Sequence, residues 1–134
     1  MTETILDLIR IRDYVTFVEI MKALGNQAKG DQVMASVHQP NVILWANMAP
    51  EVIHAIQSLV DRRLISYAPA QVSTYLIDGC ILQLPLARRI PEGGYKTPHW
   101  LPVCFRPVSN KKKLPLQKAV PQISKLGVEG NESL

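Results

Sequence analysis

APEVIHAIQSLVDRRLISYAPAQVSTYLIDGCILQLPL, residues 49–86, carries a helix straight into strands with no linker between them. Pro50 suits a first helical turn, where its missing N–H costs nothing. Val52, Ile53, Ile56, Leu59 and Val60 recur at helical spacing and give residues 50–63 an apolar stripe. His54, Gln57, Ser58, Asp61 and Arg62 form the wet face, and Asn47 is a candidate cap one turn earlier. Leu64–Tyr67 reads as a strand ended by Ala68-Pro69. Thr74–Ile77 and Cys80–Leu84 flank Asp78-Gly79. Asp-Gly between two apolar runs predicts a hairpin, because its two central residues take positive φ.

Upstream, Ile5, Leu6, Leu8, Ile9 and Ile11 predict a helix over 3–12, with Thr2 or Thr4 as its cap. Glu3 and Asp7 near its start and Arg10 and Arg12 near its end suit the helix dipole. Tyr14–Phe17 reads as a short strand. Phe17, Ile20, Met21 and Leu24 fall on one face of a second helix, which Gly25-Asn26 ends. Residues 25–40 read as loop, with one or two helical turns in DQVMASVHQ. The apolar run Asn41–Ala46 favours a buried strand and leaves a helix as the alternative. Downstream, residues 88–99 are loop by composition, and Trp100–Phe105 reads as a last strand that Pro102 confines to an edge. Two units are expected, a folded domain over 1–107 and a basic flexible tail over 108–134.

This order resembles the winged helix-turn-helix superfamily over roughly residues 3–86. ILDLIRIRDYVTFVEIMKAL is similar to that family's first helix, short strand and second helix. EVIHAIQSLVDRRLISY is similar to its third helix and the entry to its wing. The chain departs from the family where a short turn should join the second and third helices, because residues 25–48 intervene. The resemblance implies an α+β fold, winged-helix-like, with three or four helices and a small antiparallel β-hairpin or sheet as wing over 64–86. It also implies a DNA-binding protein, a transcriptional regulator, with double-stranded DNA as partner. A homodimer is expected because helices 3–12 and 17–24 carry more apolar positions than one side of a small domain needs.

In that plan the helix at 50–63 enters the major groove, and Glu51, His54, Gln57 and Ser58 face the bases. Arg62 reaches phosphate or simply ends the helix, and Arg88, Arg89 and Lys96 track the backbone from the loop beyond the wing. The charge is a modest support. The net charge is +4, but residues 108–134 hold five lysines and two glutamates, leaving about +1 for the rest. Residues 1–53 carry four basic and six acidic side chains, and residues 54–107 six and three. The alternative is a winged-helix module that binds protein and not DNA. A positive face around residues 51–63 would favour DNA, and a neutral or acidic one would favour protein.

Other chemistry lacks a motif. His38, His54, His99, Cys80 and Cys104 show no metal-ligand spacing, and Cys80 reads as a core residue of an apolar strand. No Gly-x-Ser-x-Gly, phosphate-cradling glycine loop or clustered carboxylate pair is present, so neither enzyme activity nor a cofactor is expected. Two cysteines are too few for a disulfide framework, no apolar run reaches the ~18 residues of a membrane span, and the start lacks a signal pattern. A cytoplasmic protein is the expectation.

Overall fold

Helix α1, Thr2–Arg12, buries Ile5 and Ile9 and packs on the second and third helices and on the last strand. Its cap position is Met1, with no side-chain bond, so neither Thr2 nor Thr4 caps it. The chain leaves α1 through Asp13 and Tyr14, whose φ angles are 51° and 64°. The computed structural model describes residues 1–108, so the tail expected from 108 onward lies outside the described residues save for Val108.

The strand expected at 14–17 contracts to one residue. Val15 bridges Phe105, with backbone bonds of 2.8 and 2.7 Å in the two directions. Thr16 then caps helix α2, Phe17–Leu24. The Glu19 amide donates to Thr16 Oγ1 (3.2 Å) and the Thr16 amide to Glu19 Oε1 (3.4 Å). This reciprocal capping box fixes where α2 begins.

After a 3₁₀ turn at Gly25–Ala28 comes strand β1, Lys29–Ala35, where turns of helix were expected. Only Met34 of this strand is buried, so its sequence shows no apolar alternation. Pairing with β2, Val42–Met48, makes it a strand, through an antiparallel register with several shifts. Gly30 permits the close approach: a Cβ there would sit 2.5 Å from the Met48 carbonyl oxygen. The apolar 41–46 run is therefore strand, the first of its two readings. β2 is central, with β1 on one side and β4, His99–Trp100, parallel on the other.

Helix α3, Pro50–Asp61, starts at Pro50 as expected, but its cap position is Ala49 and not Asn47. Val52, Ala55, Ile56 and Leu59 are buried. Strand β3, Ile65–Pro69, pairs antiparallel with β5, Val103–Pro107. Pro102 separates β4 from β5, so the single strand expected at 100–105 is two.

The hairpin expected around Asp78-Gly79 does not form. Val72–Asp78 is helix α4, and Gly79 caps it at φ 100°, its amide donating to the Tyr75 carbonyl at 2.9 Å. A hairpin glycine and a helix-capping glycine exploit the same positive φ, so the dipeptide alone does not separate them. Burial of Tyr75 does. Its side chain is fully buried, while Leu76 and Ile77 on either side of the next step are exposed. Cys80–Leu84 forms no strand, and Cys80 is exposed, not core.

The core is aromatic at its centre. Trp45 lies 6.0 Å from Phe17, 5.3 Å from Tyr75 and 5.8 Å from Trp100 between ring centroids, and Phe105 meets Phe17 edge-on at 5.0 Å. Buried polar atoms among them are satisfied: Trp100 Nε1 donates to the Leu44 carbonyl (3.2 Å), and the Tyr75 hydroxyl donates to the Val103 carbonyl (2.6 Å). That hydroxyl also accepts from the Phe17 amide (3.2 Å). Tyr75→Phe keeps the ring and orphans both backbone groups, so it is expected to cost about 1–3 kcal/mol in urea unfolding.

A surface clip closes the ends of the fold. Arg106 holds Asp13 by two bonds, 2.9 and 3.1 Å, and this donation keeps the Asp13 carboxyl below its ordinary range. A depressed folded pKa adds stability above the unfolded value of about 3.9, lost as pH falls through the folded value. Asp13→Asn should therefore destabilise slightly at neutral pH, and its gap from wild type should narrow between about pH 5 and pH 3. A gap independent of pH would show that the clip contributes nothing through charge.

Candidate functional site

The outward row of α3 is laid down by its own periodicity. With Val52, Ala55, Ile56 and Leu59 turned inward, Glu51, His54 and Gln57 fall on one exposed stripe. Ser58 is half-buried, and with Arg62 it lines a groove of about 360 Å³ shared with Thr2, Glu3 and Leu6 of α1. Ser58 and Arg62 thus stand beside the start of α1, where Glu3 lines the same groove. Over residues 50–63 the carboxylates Glu51 and Asp61 balance Arg62 and Arg63, so the segment is neutral.

Arg88, Arg89 and Lys96 are all exposed on the loop between Ala87 and His99. That loop is pinned. Tyr95 stacks on His99 at 3.7 Å, its hydroxyl donates to the Arg89 carbonyl, and its amide donates to the Pro40 carbonyl. Asn41 Nδ2 donates to the Tyr95 carbonyl at 2.8 Å. These bonds hang the loop on the turn before β2, whereas α3 leaves from the end of β2. Seven residues of strand at ~3.3 Å each put roughly 20 Å between the two ends of β2. The structure therefore gathers Glu51, His54 and Gln57, and anchors Arg88, Arg89 and Lys96 at the other end of that strand.

Two further features were not legible beforehand. α4 and the chain after it expose Leu76 (60%), Ile77 (85%) and Ile81 (40%), three large aliphatic side chains within six residues. Beside them a groove of about 460 Å³ opens between α2, the 3₁₀ turn, β2 and residues 80–82. Its walls come from four separate stretches of sequence, so no local pattern announces it. Among the described residues no cluster of three or more His, Cys, Asp or Glu is placed to hold a metal. No helix among them is long and apolar enough to cross a membrane.

The cysteines differ sharply. Burial pushes the Cys104 thiol up to about 12, while Cys80 is exposed at the groove. A maleimide at neutral pH should modify one thiol per chain rapidly, and Cys80→Ser should abolish that phase, as read by mass spectrometry. Rapid labelling of both thiols would mean that β5 opens readily. Compared with protein-family models, with curated proteins and with solved structures, the chain gives no match.

Proposed function

We propose that the chain is a winged-helix-like interaction module whose partner is a protein, a second copy of this chain being the first candidate. The order of elements supports the winged-helix part. α1, the Val15 bridge, α2, α3, β3 and β5 follow in chain order, and the extended segments lie side by side as Val15, β5, β3. The hairpin β1–β2 stands where a helix-turn-helix has its turn, and residues 70–102, with α4 and β4, stand where a wing has its tip.

The observations that carry the choice of partner are the neutral charge balance of the α3 segment and, elsewhere on the surface, the exposed aliphatic patch on α4. Duplex DNA presents one negative charge per ~1.7 Å, so a helix of roughly 18 Å faces about ten of them. Residues 50–63 offer two arginines, Arg62 and Arg63, matched by Glu51 and Asp61. Leu76, Ile77 and Ile81 instead present apolar surface of the kind that marks protein interfaces.

A second reading, a DNA-binding transcriptional regulator, is favoured by the row Glu51, His54 and Gln57, three exposed hydrogen-bonding side chains on one helix face. Sedimentation equilibrium and fluorescence anisotropy separate the two. The first reading expects a dimer at micromolar concentration that Leu76→Glu with Ile77→Glu converts to monomer, and weak binding to random duplex. A monomeric wild type whose duplex binding falls by orders of magnitude between ~50 and ~200 mM salt would transfer the function to DNA. Arg62→Ala, Arg88→Ala and Arg89→Ala together should then flatten that salt dependence.

A further inference from the structure

The groove beside α4 has a chemistry of its own. Val18 and Met21 of α2, Ala28, Trp45 and Ala46 of β2, and Ile81 and Leu82 give it apolar walls. Its volume of about 460 Å³ lies within the range of small-molecule sites, ~300–1,000 Å³. Lys22 and Lys29 both border it, and no carboxylate side chain does. The ion pairs among the described residues are Arg12–Glu19 and Arg106–Asp13, so neither lysine is neutralised by one. The bond Lys22 makes, 2.9 Å, goes to the uncharged backbone carbonyl of Asp78, whose carboxylate is held by the Thr16 hydroxyl. Asn26 and Asn47 add two amide side chains that make no hydrogen bond among the described residues.

We propose that this groove binds a small amphipathic anion, an alkyl or aryl carboxylate whose apolar body lies on Val18, Met21, Trp45 and Leu82 and whose head group is held by Lys22 and Lys29. Charge complementarity selects the anion. A neutral ligand would gain the same apolar contact and leave two ammonium groups without a counter-charge, and a cationic one would be repelled. The site is separate from the α3 row and does not depend on which macromolecule the chain binds. A ligand seated there lies against Ile81, at the border of the aliphatic surface of α4, so occupancy and docking there would be felt by each other.

The test uses the full chain with decanoate, 2-naphthoate, decanol and decyltrimethylammonium as probes, followed by calorimetry and by the rate of Cys80 modification. A carboxylate is expected to bind about tenfold more tightly than decanol at low salt, with the cation weakest, and the advantage should shrink as salt rises. Whichever carboxylate binds tighter assigns an alkyl or an aryl body. Bound carboxylate should slow maleimide attack on Cys80 several-fold, which locates it without any mutation. Lys22→Met with Lys29→Met should erase the preference for carboxylate and leave decanol binding unchanged. Equal affinity for decanoate and decanol in the wild type, binding of both carboxylates that leaves Cys80 unprotected, or no carboxylate binding up to millimolar concentration would each overturn the proposal.

Discussion

One phenol holds three segments in register. The Tyr75 hydroxyl accepts from the first amide of α2 and donates to the first carbonyl of β5, both in the dry interior. An unpaired backbone group there would cost on the order of a hydrogen bond, so the three chains are tied to one relative placement. The ring below extends the constraint, meeting Trp100 edge-on at 5.1 Å and Trp45 at 5.3 Å. Burial pushes the hydroxyl's pKa upward, so it stays protonated and remains a donor across the physiological range. α4 exists to deliver this residue: a seven-residue helix has little stability alone and is held by what one of its side chains reaches.

How much of this was legible depends on where each residue's information lies. α1, α2 and α3 follow from local periodicity because each buries one face and wets the other, whereas β3 buries only Ile65. The capping box Thr16-x-x-Glu19, which reading Thr16 as strand overlooks, marks the start of α2 more sharply than the apolar spacing does. β1 was not readable, since six of its seven residues are exposed and its strand character comes from β2. The 74–84 stretch misled for a different reason. Asp78-Gly79 signals a positive φ, and only the tertiary placement of Tyr75 decides whether that angle ends a helix or turns a hairpin.

The candidate site divides in the same way. The exposure of Glu51, His54 and Gln57 was legible from helix spacing alone. The anchoring of Arg88, Arg89 and Lys96 was not, because it depends on hydrogen bonds to Pro40 and Asn41, some fifty residues earlier. Charge counts in linear windows had suggested a basic half. Around α3 itself the balance is neutral, Glu51 and Asp61 against Arg62 and Arg63, and Glu3 lines the same groove as Arg62.

The Val15–Phe105 bridge joins residues at the two extremes of the described chain. Closing a loop of about ninety residues carries a large entropic cost before any contact rewards it. During synthesis, α1 and α2 therefore emerge long before their strand partner, with Val15 and Phe17 still waiting for Phe105. A nascent or prematurely terminated chain would present those apolar groups to the solvent. The sheet that joins Val15 to β5 and β3 closes only after Phe105 has been made.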